Sequence, residues 1–305
     1  ALIAARAGRR IEIACASARD LTKARGLALD GVTLHADPQR VVDDPEVQIV
    51  VELIGGIEPA RSLVLRALAN GKHVVTANKA LIALHGYEIF DAAQSRGLMV
   101  AFEAAVAGGI PVIKVMREAL AGNDIQWLAG IINGTSNFIL SAMSDEGGDF
   151  GEVLQEAQRL GYAEADPSFD VDGVDAAHKL TILAALAFGI PLQFPRVHVE
   201  GIRGITKEDV AFAARLGYRI KHLGIARQRG NGIELRVHPA FVPARAPLAN
   251  VNGVMNAVLV NGNAAGSTLY YGAGAGSLPT ASAVVADLIE VARWSACRPD
   301  TAVAA

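Results

Sequence analysis

Residues 48–76 read QIVVELIGGIEPARSLVLRALANGKHVVT, and this stretch decides the fold. Gln48 to Ile54 is a β-rich run closed by Gly55 and Gly56. Ala60 to Asn70 carries apolar residues at helical spacing and stops at Gly71, and His73 to Thr76 is a second β-rich run. Such an order is expected of two parallel strands joined by a crossover helix. Working outward, Ala80 to Ser95 repeats the helical spacing before Gly97, Leu98 to Glu103 reads as the next strand, and Ile11 to Ser17 reads as an earlier one. Strand, helix, strand, helix, strand predicts a doubly wound α/β lobe with helices covering a parallel sheet.

After Pro111 the grammar changes. Helices containing Ile139 and Leu154 and a long helix from Val174 to Phe188 are followed by β-like runs at Tyr218 to Arg227 and Ile233 to His238, which predicts an α+β second lobe. Pro279 to Arg293 carries Val284, Val285, Leu288, Ile289 and Val291 at helical spacing, and this helix is expected to pack back on the first lobe. The domains are therefore drawn as 1–105 together with the helix 279–297, and 106–278 between them.

A chain of 305 residues exceeds one ordinary domain and can bury a substantial core. Its formal net charge of -3, with 19% charged residues, lacks the basic footprint of a nucleic-acid binder. The longest strongly apolar stretch, Leu180 to Ile190, is about half of what a membrane-spanning helix needs. Ala1 to Arg10 has no apolar segment followed by a small-residue cleavage site. Cys15 and Cys297 lie near opposite ends and suggest neither a disulfide framework nor a zinc site, so a cytoplasmic protein is expected.

Residues 164–179 concentrate five carboxylates and a terminal lysine: Glu164, Asp166, Asp170, Asp172, Asp175 and Lys179. If the helix starts near Val174, Asp175 and Lys179 are one turn apart on one face, with Glu164 and Asp170 approaching from the preceding loop. A lysine held among carboxylates stays a cation, which suits it to give a proton to a carbonyl oxygen rather than to form a Schiff base. A solvated acidic loop with one helix ion pair is the plain alternative. A calcium loop is a sharper one, since Ser168, Asp170, Asp172 and Gly173 fit its first positions, but Lys179 stands where the ion requires a bidentate glutamate.

Val51 to Gly56 and Val75 to Ala80 follow two predicted strands, and in an open α/β sheet ligands sit beyond the carboxyl ends of the strands. Thr76 and Lys79 are thus expected near a cofactor and its substrate. Phe102 to Pro111 sets Glu103 at a strand end before small residues and two glycines. Backbone carbonyls there could ring a cation, and a simple hinge is equally compatible. Gly130 to Asn137 joins a strand to a helix and exposes amides and hydroxyls suited to a polar substrate, or serves as an ordinary helix cap. Gly272 to Ser277 is a weak match to a dinucleotide fingerprint, because Ser277 stands where the third glycine belongs, but a tight turn near a ligand fits it.

No Gly-x-Gly-x-x-Gly turn precedes Ile11, and Ala1 to Ala7 reads as the tail of the helix that would follow one, so an N-terminal truncation is expected. Ser17, Ala18 and Arg19, with Lys23 and Arg25 shortly after, follow the first strand in place of an acidic residue that would bind an unmodified ribose. Basic side chains there favour a 2′-phosphate, hence NADP over NAD.

Val51 to Gly56, Thr76 to Leu81, Phe102 to Pro111, Gly130 to Asn137, Gly161 to Lys179 and Gly272 to Thr280 together resemble homoserine dehydrogenase, in that family's order. The resemblance implies a Rossmann-type lobe, N-terminally incomplete, and a catalytic and dimerisation lobe. It implies reversible reduction of L-aspartate 4-semialdehyde to L-homoserine with NADP or NAD, on the route to threonine, methionine and isoleucine, in a homodimer or higher homo-oligomer. By matched position, Lys179 is the catalytic lysine, Lys79 a second active-site lysine near the cofactor, and Asp175 a partner orienting Lys179. Glu164, Asp170, Gly134 and Thr135 would hold the substrate. Arg19, Thr76, Lys79 and Gly276 would contact the cofactor. Glu103, with the carbonyls of Val106, Gly108 and Ile110, matches a monovalent-cation site suited to Na+. The regulatory domain carried by many members is not read after Arg293. The competing expectation is an inactive scaffold of the same fold.

Overall fold

The computed structural model describes residues 2–23, 26 and 29–297; Arg25 and the side chain of Cys297 lie outside the described residues. The chain divides into two compact units. One comprises Ala1–Leu81, His85–Phe102 and the chain from Val284 on, and the other Ile82–Leu84 and Glu103–Ala283.

The first unit opens with α1 (Leu2–Ala7), β1 (Cys15–Ser17), β2 (Thr33–His35) and α2 (Gln39–Asp43). It continues through β3 (Ile49–Glu52), α3 (Ala60–Ala69), β4 (His73–Thr76), α4 (Lys79–Gln94) and β5 (Val100–Ala101). Strands β3, β4 and β5 form a parallel sheet in sequence order, and β1 and β2 form a separate parallel pair. Helix α3 buries Ala60, Leu63, Val64, Ala67 and Leu68, a single stripe at the i, i+3, i+4 spacing read from the sequence. Below it β4 buries Val74 and Val75, and the run of β-branched residues becomes a strand covered on both faces.

Two predicted strands contract. The Ile11 to Ser17 run pairs only from Cys15 onward, where Cys15 lies opposite Thr33, because Glu12 to Ala14 stand in solvent. Leu98 to Glu103 pairs only at Val100 and Ala101, because Glu103 turns into a 3-10 segment, Glu103–Ala105, where its carboxylate finds backbone donors. Strand β2 and helix α2 are too short to leave a periodic signature in the sequence.

The second unit runs through α5 (Val112–Lys114) with a π-helical turn over Val115–Ala119, β6 (Ile125–Ile131), α6 (Gly134–Glu146), α7 (Phe150–Arg159), α8 (Ser168–Val171) and α9 (Val174–Phe188). It continues with β7 (His198–Val199), α10 (Lys207–Arg215), β8 (Tyr218–Arg229), β9 (Gly232–Pro243), β10 (Met255–Gly262) and β11 (Gly266–Ala273). The strands make one mixed sheet in the order β11-β10-β6-β8-β9-β7, antiparallel except where β7 meets β9. Strand β9 outruns its predicted end at His238 because Pro239, which has no N–H to donate, is accommodated opposite His222 beyond the two residues that pair with β7.

One face of this sheet is covered by helices. A core of Ile139, Leu140, Met143, Val153, Ala157, Val171, Ile202 and Ile220 joins α6, α7 and α10 to β8, and Leu180 of α9 packs over Gly224. The opposite face carries Ala129, Ile131, Leu223, Val242, Leu248, Val251 and Ala257, flanked by half-buried Trp127, Ile225 and Leu259. Helix α11 (Ser277–Cys297) ends in the first unit, where Trp294 meets the edge of His73 with ring centroids 5.3 Å apart and Arg293 Nε donates to the Arg6 carbonyl at 2.6 Å.

The turn before α11 depends on close backbone approach. A Cβ on Gly274 would stand 1.7 Å from Asn256 Oδ1, and Asn256 is 1% exposed with little room to yield. Gly274→Ala is expected to lower the unfolding free energy by about 1–3 kcal/mol in a denaturant titration. Asn256→Ala introduced together with it should recover part of that loss; simple additivity of the two substitutions would show that the contact is not the cause.

Candidate active site

Strand β6 lies in the middle of the mixed sheet and delivers Ile132 and Asn133 to the start of α6. Asparagine is favoured as an N-cap because its short side chain satisfies an amide left open by the first helical turn. Here Asn133 Oδ1 accepts from Ser136 N at 2.8 Å. The other end of the same amide does more: Nδ2 donates to Asp170 Oδ1 at 2.6 Å and to Asp175 Oδ2 at 2.8 Å. Gly134 follows because a Cβ there would stand 2.8 Å from the Val254 carbonyl. Thr135 Oγ1 donates to the Tyr162 carbonyl at 2.6 Å and lies 3.3 Å from Asp170 Oδ2, and Ser136 Oγ donates to the Asp170 carbonyl at 3.0 Å.

On α9, Asp175 and Lys179 are one turn apart, as their spacing predicts, with Lys179 Nζ 2.7 Å from Asp175 Oδ2. Lys179 Nζ also donates to the Ile132 carbonyl at 2.7 Å. The two side chains are 11% and 2% exposed, so the pair is poorly screened by solvent and tightly held. An ammonium has three N–H donors, and two are committed to protein oxygens. The third remains for an oxygen of a ligand, which is what proton transfer to a carbonyl requires.

The predicted cluster of carboxylates forms in part. Asp175 touches the lysine and Asp170 joins through Asn133, but Glu164 does not enter the network. Its side chain is exposed and makes no hydrogen bond or ion pair among the described residues, while its carbonyl accepts from Gln158 Nε2 at 3.0 Å. The turn after α7 is fixed through its backbone, leaving the carboxylate in solvent. The sequence marks Asn133 only within a helix-start segment that suits a polar substrate or an ordinary cap; its bonds to the two aspartates appear only in the structure.

In the first unit, the end of β3 and the end of β4 are stitched by one buried carboxylate. Glu52 Oε1 accepts from Ile54 N at 2.7 Å and Gly55 N at 3.0 Å, and Oε2 accepts from Thr76 Oγ1 at 2.6 Å. Thr76 Oγ1 in turn accepts from Asn78 N at 3.0 Å. Asn78 donates Nδ2 to the Gly56 carbonyl at 2.7 Å and caps α4 by accepting from Leu81 N at 3.0 Å. Thr76 is fully buried with its hydroxyl engaged on both sides, so it shapes the loop ends and its hydroxyl is not presented to solvent. Lys79 is the half-buried first residue of α4. Arg19 follows β1, exposed and without an ion pair among the described residues.

In the second unit, Glu103 is buried, its Oε1 accepting from Ile113 N at 2.8 Å and Oε2 from Lys114 N at 2.9 Å. The following loop bends sharply, with Ala107 at φ +55° and Gly108 at φ +45°, and is pinned where Gly109 N donates to the Ala273 carbonyl at 2.9 Å. A buried carboxylate beside buried Val106, Gly108 and Ile110 supplies the hard oxygen donors a monovalent cation takes, although the Ile110 carbonyl already accepts from Val112 N at 2.7 Å. Gly276 lies exposed in the turn before α11, at φ +120°. No group of three or more His, Cys, Asp or Glu that could hold a metal occurs among the described residues, and no helix among them is long and apolar enough to cross a membrane.

Two family models match the chain: one described as homoserine dehydrogenase over residues 111–289, the other as the homoserine dehydrogenase NAD binding domain over residues 1–103. The homoserine dehydrogenase of Pseudomonas aeruginosa is 62% identical over 99% of this chain and 69% of its own length. A crystal structure of a homoserine dehydrogenase from Thiobacillus denitrificans superposes with a TM-score of 0.96 at 66% identity, covering 99% of this chain and 70% of that one. A hyperthermophilic archaeal homoserine dehydrogenase in complex with NADPH superposes with a TM-score of 0.74 at 31% identity, over 86% of this chain and 76% of that one. The chain thus spans about two thirds of the length of the first two relatives.

Asn133→Ala removes a helix cap and takes one donor from each of two carboxylates. It is expected to cost about 2–4 kcal/mol of unfolding free energy, read by urea titration. A loss under half a kilocalorie would mean that the amide does not hold the two aspartates.

Proposed function

The chain belongs to the homoserine dehydrogenase family, and on that premise we propose that it interconverts L-aspartate 4-semialdehyde and L-homoserine with Lys179 as the proton donor to the carbonyl oxygen. The observation that carries this reading is the lysine ammonium anchored by Asp175 and the Ile132 carbonyl with one N–H uncommitted.

When bound, the nicotinamide dinucleotide supplies the hydride to the aldehyde carbon. Lys179 Nζ holds a proton at the carbonyl oxygen and gives it up as charge develops there; in the direction of homoserine oxidation it takes the proton back from the hydroxyl. Asp175 orients the ammonium through the 2.7 Å contact. Asp170, held by Asn133 Nδ2 and, at its carbonyl, by Ser136 Oγ, fixes the start of α6, where Gly134 and Thr135 would face the polar end of the substrate. The solvent-exposed Glu164 is available to the substrate amino group. Lys79, at the start of α4, serves as a second lysine near the cofactor, with Thr76 setting the loop that precedes it, and Gly276 is a further cofactor contact in this reading.

Arg19, exposed directly after β1, suits the 2′-phosphate of NADP and supports NADP over NAD. Glu103 with the carbonyls of Val106, Gly108 and Ile110 would hold Na+, as a brace for that loop. A homodimer is part of this reading, and so is a cytoplasmic setting. The sheet face away from the helices carries Ile225, Leu259 and Leu269 in one row across β8, β10 and β11, with Trp127 and a 57% exposed Tyr271 beside it. A second copy of the same face would cover this apolar surface.

The test is NADPH oxidation by the purified chain with aspartate 4-semialdehyde, alongside NADPH titration. Turnover is expected; binding without turnover would sink the catalytic assignment. With neither, the assay is repeated on a chain of the relatives' full length, where recovered activity would identify a truncation and continued silence would favour a scaffold. Lys179→Met should lower kcat by about two to four orders of magnitude with NADPH affinity unchanged. A parallel loss of both would remove the lysine from the chemistry. Glu164→Gln should raise the homoserine KM with kcat nearly preserved, and unchanged kinetics would remove its role.

A further inference from the structure

Lys221 is a fully buried lysine that the reaction above does not use. It lies on β8 with 1% exposure. Its Nζ donates to the Val251 carbonyl at 2.6 Å and to Asn252 Oδ1 at 3.1 Å, with Asn137 Oδ1 at 3.3 Å and Ser141 Oγ at 3.5 Å. All four acceptors are neutral oxygens. The cation is therefore coordinated much as a bound metal ion would be, and it replaces water without a carboxylate in contact. Burial pushes this ammonium down to about 8, the nearby Arg219 adds to the effect, and Asp145 opposes it. A charge so costly to bury does little for stability that an apolar side chain of the same length could not do.

Its position gives it another use. The oxygens it gathers come from two elements, α6 and the loop 251–253. Asn137 Nδ2, with two N–H donors, lies within hydrogen-bond reach of three carbonyls, those of Val251 at 3.1 Å and Gly253 at 2.8 Å in that loop and of Met255 at 3.1 Å at the start of β10. Gly253 N reaches Ser141 Oγ at 3.3 Å. That loop is the surface on which the start of α6 rests, so closely that Gly134 has no room for a Cβ beside the Val254 carbonyl. Asn137 is also one helical turn after Asn133, its N–H donating to the Asn133 carbonyl at 3.2 Å. A continuous path of short contacts joins the buried ammonium to the amide that holds Asp170 and Asp175.

We propose that Lys221 is a positioning residue of the substrate site: its ammonium acts as a built-in cation that clamps the 251–255 loop to α6 and so fixes Asn133, Thr135 and the Asp175–Lys179 pair. The inference rests on the homoserine dehydrogenase reading for its kinetic test and on geometry alone for a second test. A clamp beneath α6 acts on the amino-acid side of the site and leaves the nucleotide side untouched.

Lys221→Met keeps the stem volume and removes the three donors. The homoserine KM is expected to rise by about tenfold or more with the NADP KM within about twofold of the parent. In Lys221→Ala, ethylammonium added to the assay should restore most of the lost kcat/KM by occupying the vacated position. A homoserine KM close to the parent value, a parallel rise in both KM values, or failure of the rescue would each overturn the proposal. Should Lys221→Met not fold, Asn252→Ala, which takes away one exposed acceptor, decides: a raised homoserine KM supports the clamp and an unchanged one overturns it. If the parent chain shows no turnover at all, the enzymatic reading fails separately. Amide hydrogen exchange then tests the clamp: faster exchange at residues 133–141 in Lys221→Met or Asn252→Ala, with the second half of α9 unaffected, supports it, and equal exchange overturns it.

Discussion

One side-chain amide organises the candidate active site. Asn133 faces a helix start with its oxygen and two aspartates with its nitrogen, so it joins β6, α6, α8 and α9 through three hydrogen bonds. Asp175 Oδ2 receives both this amide and the Lys179 ammonium. The two carboxylates are brought near one another with donors between them, which offsets their mutual repulsion and the loss of water around them. The lysine is thus held by a backbone carbonyl and by a carboxylate that is itself held, and its freedom to wander from a productive position is small.

Each unit fixes a loop with a buried carboxylate. In the first, Glu52 gathers the amides of Ile54 and Gly55 and the Thr76 hydroxyl at the ends of β3 and β4. In the second, Glu103 receives two amides at the start of α5. Both carboxylates are buried, and both do with charge-assisted bonds what a longer loop would leave to solvent.

Much of this was legible in the residues. The stripe Ala60, Leu63, Val64, Ala67, Leu68 announces α3 and its buried face, and the four-residue separation of Asp175 and Lys179 announces their contact, because local periodicity suffices for both. What escaped depends on distant partners. Asn133 meets its aspartates 37 and 42 positions away, and an uncharged amide leaves no pattern that points to them. Lys221 sits in a strand where a lysine ordinarily marks the solvent side, and only the packing of α6 and the 251–253 loop shows that it faces inward. Glu164 departs in the opposite sense: its charge and nearness in sequence suggest a place in the carboxylate network, but the turn that carries it is tied by backbone and leaves the side chain in solvent.

The strand order of the mixed sheet bears on how the protein is made. Strand β6 sits between β10 and β8, yet it leaves the ribosome first, and about 90 residues separate its end from the start of β8. At translation speeds of about 5–20 residues per second, an apolar central strand waits about 5–20 s for its first neighbour and longer for its second. During that interval its edges are open to any extended chain nearby. An apolar central strand left unpaired for seconds makes synthesis a point of aggregation risk for the lobe that carries the lysine.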